Sequence, residues 1–296
     1  MRGVLAALLV ALTVVASGGT ARADDDVSWT VSTAANSFGA DRPNYSYTVN
    51  PGGQVEDGLV VANSGKTPLT LAVYAADGFT TDAGKLDLLT NDDKSTSVGT
   101  WVRTAQGQVT VPPGKSIQVP FTLTVPADAT PGDHMGGIIT SLTNHRLAIR
   151  IRIRVSGELK PSMSVDDAHL RYSGKGDATL TYTVRNTGNT ILAARPTTAV
   201  SALFKAADAN TAADTPQLLP GETWKVSTTV HGVTPILRLT GKVTLLPLLM
   251  DAAGSTGTLD TITTTTHTWT FPWMLLVLLV VLAVLVFGAY RLVKRT

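Results

Sequence analysis

Apolar and polar residues alternate along most of this chain. In "LAIRIRIRVSG", Leu147 to Gly157, arginine and isoleucine exchange places three times. A period of two puts Ile149, Ile151, Ile153 and Val155 on one face of a strand and Arg150, Arg152 and Arg154 on the other. A helix would spread the same residues around its circumference. Further strands are predicted at Tyr45 to Val49, Gln54 to Ala62 and Leu69 to Ala75. The turns between them are Asn50-Pro51-Gly52-Gly53 and Asn63-Ser64-Gly65-Lys66. "GQVTVPPGKSIQVPFTLTV" repeats the pattern around a Pro112-Pro113-Gly114 turn. No sustained stripe of period 3.6 precedes the C-terminal apolar run, so the expected fold class is all-β.

A weak internal repeat divides these strands into two groups. "VVANSGKTPLTLAV" and "YTVRNTGNTILAAR" each read as strand, Asn-Ser/Thr-Gly turn, strand, and "NPGGQV", "PPGKSI" and "LPGETW" recur as the turn before a strand. The pattern suits two immunoglobulin-like β-sandwiches in tandem. The boundary falls in "VSGELKPS", where the arginine strand gives way to a Gly- and Pro-containing stretch. The expected domains are residues 24–157 and 158–249. Residues 250–268, small and Thr-rich, read as a stalk, with a last strand as the alternative.

The two ends of the chain place it. Residues 1–23 have a basic start, an apolar run from Val4 to Val15 and an Ala21-Arg22-Ala23 close, the marks of a secretory signal peptide. Phe271 to Tyr290 is free of charge over 20 residues, enough for a membrane span of roughly 30 Å at about 1.5 Å per residue. Trp269, Trp273 and Tyr290 flank it, and Arg291, Lys294 and Arg295 follow. The expectation is a single helix over 269–290, an external ectodomain and a cytoplasmic tail at 291–296. Five of the 24 lysines and arginines lie in these ends, which leaves the ectodomain 19 against 22 acidic residues and a net charge of −3. That balance removes the main argument for nucleic-acid binding. With no cysteine, the exported part must be held by packed cores rather than disulfides.

"VSWTVSTA", "YSYTVNPGGQVEDGLVVANSGKTPLTLAVYAAD", "VPPGKSIQVPFTLTVPADATPGDHMGGI" and "ATLTYTVRNTGNTILAARP" together resemble the WxL-interacting protein family of Gram-positive surface proteins. The alanine- and threonine-rich composition suits an actinobacterial relative. The resemblance implies a first domain that binds peptidoglycan, a second β domain that contacts host or partner, and one membrane helix. The most specific stretch is "PGDHMGGI". There Asp133 and His134 are candidates to hydrogen-bond a glycan or stem peptide, and Gly136 and Gly137 open the strand to close approach by a ligand or another backbone. A turn and bulge leading into a core strand is the alternative. Arg150, Arg152 and Arg154 form a second candidate surface, suited to carboxylates of stem peptides or phosphates of wall polymers. A solvated strand face is the plainer reading of the same residues.

The sequence carries no recognisable catalytic or metal signature. "SGKT" and "PGKS" mimic a phosphate loop, but Val60 and Val109 stand where its leading glycine belongs, so both are turns. The five histidines lack metal-ligand spacing. Asp82, Asp87, Asp92 and Asp93 lie in one loop without the alternation of a calcium hand and read as a solvated acidic loop, with an adventitious calcium site or a recognition surface as the alternatives. The expected protein is a non-catalytic surface binder without cofactor. Its partners would be peptidoglycan, another anionic wall polymer or a neighbouring surface protein, or, in the alternative, only the proteins of an envelope or export assembly.

Overall fold

A computed structural model describes residues 28–174, 176–202, 205–206, 210–233, 238–250, 256–270 and 273–294. The leader expected over 1–23 lies outside them. The first domain holds β1 (Trp29–Thr33), β2 (Tyr45–Val49), β3 (Gln54–Asn63), β4 (Leu69–Thr80), β5 (Leu86–Leu88), a short helix α1 (Val98–Trp101), β6 (Val102–Thr104), β7 (Gln108–Val111), β8 (Ser116–Thr124), β9 (Gly132–Leu142) and β10 (His145–Val155). One sheet runs β1-β3-β8-β6. The other runs β2-β10-β9-β4, with β5 and β7 both on β4. Residues of both sheets, among them Tyr45, Leu59, Leu71, Val119, Phe121, Ile138 and Ile151, share one hydrophobic core. The strand β10 behaves as its alternation predicts: Ile149, Ile151, Ile153 and Val155 are buried in that core.

The second domain follows a linker over 156–162. It holds β11 (Met163–Tyr172), β12 (Ala178–Asn186), β13 (Leu192–Ala202), β14 (Lys205–Ala206), β15 (Asn210–Thr211), β16 (Thr223–Val230), β17 (Arg238–Met250), β18 (Thr256–Thr258) and β19 (Ile262–Trp269). Strands β11, β12 and β16 make one sheet, and β13, β14, β15, β17, β18 and β19 the other. Leu180, Tyr182, Val184, Leu192, Leu239 and Val243 stand in their common core. The fold of the described residues is therefore all-β apart from α1 and a C-terminal helix, α2 (Trp273–Val293).

Two corners of the chain show why the Asn-Ser/Thr-Gly repeat exists. Asn63 is buried, its amide donating to the carbonyls of Thr67 and Val111 while its Oδ1 accepts Gly65 N–H. Asn186 does the same in the second domain, toward Thr190 O, Leu218 O and Gly188 N–H. In each case one side chain satisfies the backbone groups that a corner leaves unpaired inside the fold.

The Thr-rich segment is a correction to the expected stalk. Residues 262–269 form β19, paired antiparallel along β17 from Leu245↔Ile262 to Arg238↔Trp269, and 256–258 form β18 on the same strand. Threonine is β-branched and suits a pleated, half-buried surface; alternate residues of β19 are half-buried and exposed throughout. The second domain thus extends to Trp269, and α2 begins four residues later. Side chains of α2 are described for 276–291, and all of them are exposed. These are 16 residues, fewer than the roughly 20 that a span needs, so among the described residues no helix is long and apolar enough to cross a membrane.

Candidate binding surface and the joint beneath it

The hairpin β9–β10 carries most of the residues singled out above. It closes at Leu142↔His145, and antiparallel register then sets Asp133 opposite Arg154, Met135 opposite Arg152 and Gly137 opposite Arg150. Asp133 shares a face with the arginines and lies diagonal to Arg152, within reach of a long side chain. Arg154 donates to it twice, Nε to Oδ1 at 2.8 Å and Nη2 to Oδ2 at 3.0 Å. Arg152 Nη2 adds a third bond to Oδ2 at 3.1 Å. The Asp133 side chain is 0% exposed, against 19% for Arg152 and 30% for Arg154.

What covers Asp133 is the second domain. Ile191 N–H donates to its Oδ2 at 3.0 Å, and the Asp133 N–H donates to Asn189 O at 2.8 Å. Asn189 in turn donates to the carbonyls of Pro131 and Glu158 and accepts Lys160 N–H. Gly132 has φ +126°, and a Cβ there would strike Asn189 O, so only glycine fits. A second contact lies beside the first. Glu222 accepts Thr80 N–H at 2.8 Å and the Thr80 hydroxyl at 2.7 Å, and the same hydroxyl lies 2.9 Å from Gln217 O. The "PGD" of the sequence motif is thus half of a joint between the domains. Burial by itself would raise the Asp133 pKa; the Arg154 bonds, the Ile191 amide and the two guanidinium charges outweigh it and hold the carboxyl below its ordinary value.

The rest of the motif is occupied by its own chain. His134 lies over Trp101, ring centroids 4.7 Å apart. Its Nε2 is 2.9 Å from Thr130 O and its Nδ1 2.9 Å from Ser97 Oγ. A carbonyl can only accept, so Nε2 carries the proton and Nδ1 accepts from Ser97 in the neutral ring. Gly136 faces α1, where a Cβ would meet Ala76 O and Val98, and Gly137 faces Leu88. The close approach that the glycines announce is made by β4, β5 and the short helix α1.

The arginine ladder points outward as the alternation requires, but it is not free along its length: Arg152 and Arg154 are bound in the joint. Arg150 is exposed. It borders a recess of about 160 Å³ whose walls include Leu88, Ile139, Ala148 and the Arg146–Asp87 pair at 3.6 Å. The recess sets the Arg150 guanidinium, which meets no carboxylate among the described residues, beside small apolar walls, a combination suited to a carboxylate carrying a short apolar group.

One polar cluster escaped the reading of the sequence. Asp57, 0% exposed, accepts Arg42 Nη1 at 2.8 Å and Nη2 at 3.1 Å, the Tyr47 hydroxyl at 2.6 Å, Asn36 Nδ2 at 2.6 Å and Gly58 N–H at 2.7 Å. Burial alone would raise its pKa, but the Arg42, Tyr47, Gly58 and Asn36 bonds prevail and lower it. Burial pushes the Tyr47 hydroxyl pKa up, with Asp57 adding to the shift. A signal was present in the sequence: Val55, Asp57, Leu59 and Val61 share one face of β3, so its alternation sends an acid inward. Among the described residues no group of three His, Asp or Glu side chains is placed to hold a metal ion.

No family model matches the sequence, and no curated protein does either. Solved structures align with parts of this chain at low identity. A chaperone–tip adhesin complex of CFA/I fimbriae is 10% identical, covers 80% of this chain and 98% of its own, and has a TM-score of 0.41. The class 5 fimbriae chaperone CfaA is 12% identical over 82% of this chain and 100% of its own, with a TM-score of 0.38. A family 123 glycoside hydrolase from Clostridium perfringens is 9% identical over 44% of this chain, at a TM-score of 0.33, and this chain spans only 28% of its length. Likenesses of this size assign neither a family nor a function.

Proposed function

We propose that this chain is a membrane-anchored, non-catalytic cell-surface protein whose two immunoglobulin-like sandwiches present a binding surface to peptidoglycan or another anionic wall polymer. The observation that carries the reading is the position of α2. The joint lies at the end of the second domain where Leu192 pairs with Leu249, whereas α2 leaves from the opposite end, where Arg238 pairs with Trp269. At about 3.3 Å per residue the 11 steps of β17 between these ends cover roughly 36 Å. The first domain is then raised that far above the start of a helix whose side chains from Leu276 to Phe287 are apolar and exposed on every side. A helix apolar all round is at home in a bilayer. The uncharged run of the sequence, Phe271 to Tyr290, matches the thickness of the hydrocarbon. The resemblance to WxL-interacting proteins supports the same assignment.

The wall contact falls to the Arg150 recess, where the guanidinium grips a carboxylate or phosphate. Its test is sedimentation of the full chain, held in detergent micelles, with isolated peptidoglycan beside an Arg150→Ser variant. The native chain is expected to pellet saturably, less so at high salt, and the variant to bind several-fold more weakly. A native chain that stays in solution overturns wall binding. The engagement of Arg152 and Arg154 in the joint favours a second reading, in which the domains contact only protein. Co-purification of a neighbouring envelope protein with a chain that ignores the wall would decide for it.

A further inference from the structure

The lower end of the second domain carries a face that the wall contact does not use. On the outer side of β17 and β19, register sets Arg238 beside Trp269, Thr240 beside His267, and Lys242 beside Thr265. Arg238, Lys242, His267 and Trp269 are all exposed, the tryptophan at 78%. His267 Nδ1 lies 3.0 Å from the Thr240 hydroxyl, which fixes its ring on this face. Neither Arg238 nor Lys242 meets a carboxylate among the described residues. A tryptophan this exposed is costly in water. It is at home where one side is apolar and the other wet.

We propose that this face rests on the membrane, with Trp269 at the level of the lipid headgroups and Arg238 and Lys242 paired to the phosphates of anionic phospholipids. The inference depends on α2 being the anchor. Continuity then commits the occupant: only three residues separate Trp269 from the first residue of α2, a reach of about 14 Å even when fully extended. Lys242 lies about 13 Å further along β17, so it meets the headgroups when the sheet tilts toward the bilayer. The contact fixes the tilt of the second domain, and through the Asp133 joint it sets the direction in which the first domain faces the wall.

The chain has no cysteine, so Thr265→Cys introduces a single labelling site, and Gln106→Cys, exposed in the first domain, serves as control. Each full chain carries a fluorophore there and is reconstituted in phosphatidylcholine vesicles with and without phosphatidylglycerol. Retention after an alkaline wash reports the anchor. Quenching by spin-labelled lipid reports the face. The expected result is retention in both vesicles, with strong quenching at position 265 only when phosphatidylglycerol is present. Each cation near an anionic surface is worth about fivefold in occupancy of the docked orientation. Arg238→Ser with Lys242→Ser should therefore reduce quenching to the level at position 106, and high salt should do the same to the native face. A retained chain whose position 265 is quenched no more than position 106 overturns the contact while the anchor stands. Equal quenching in both vesicles overturns the recognition of charge. A chain lost in the wash overturns the anchor, and this inference with it.

Discussion

Asp57 and Asp133 are the same chemical device put to different use. Each is a buried carboxylate of the first domain gripped twice by one arginine, and each has its pKa lowered by that grip. Every partner of Asp57 belongs to the first domain, so the cluster ties the loop around Asn36 and Arg42 to β3 and closes one end of a core. Asp133 takes its last bond from Ile191, 58 residues away in the other domain. Burial of a paired charge is thus compatible with either role. What distinguishes them is whether the covering surface is the domain's own chain or a neighbour. A buried ion pair is poor evidence for net stability, since removal from water offsets much of the attraction, but removing one partner leaves a charge stranded.

Four experiments break or sharpen this comparison. Acid should have the largest effect, because it reaches both carboxylates at once. Their folded pKa values lie below the ordinary 3.8, so their stabilisation is complete above about pH 4 and disappears as pH falls through the lower folded values. Hydrogen exchange at the amides of Gly58 and Ile191, followed between neutral and strongly acid pH, is expected to rise at both sites only at the acid end. Asp57→Ala comes next, with a loss of about 3–5 kcal/mol in denaturant unfolding, because Arg42 and Tyr47 are left buried without their partner. Asp133→Ala should cost about 2 kcal/mol, less than the first because Arg152 and Arg154 are partly exposed and regain water. Its signature is exchange at Ile191 and freer movement of the domains in small-angle scattering, with Gly58 unchanged. Arg150→Ser, on the same ladder but outside the joint, is expected to change stability by no more than about 0.5 kcal/mol. A large loss there would mean that Arg150 too is part of the joint.

The sequence holds more of the joint than a reading of single motifs extracts. Alternation identified β10 and the face of its arginines. The hairpin turn at Thr143 and Asn144 already implies the register, since Asp133 and Arg154 lie nine residues on either side of the closing pair Leu142↔His145. Asp57 was legible in the same way, as an acid at an inward position of an otherwise apolar face. Asn189 and Ile191 were not legible. Nothing local marks a backbone amide as the lid of a carboxylate in another domain.

By itself the sequence determined the period-two strands, the repeated Asn-Ser/Thr-Gly corners and the uncharged C-terminal run. These depend on local backbone geometry and on the division of side chains between core and water, which neighbouring residues decide. Only the tertiary structure decided which arginines are free, that the Thr-rich segment pairs with β17 instead of standing as a stalk, and that Gly136 and Gly137 receive Val98 and Leu88. Those outcomes depend on contacts between residues far apart in the chain, where burial, register and the fit of one surface on another select among partners that local pattern leaves equivalent.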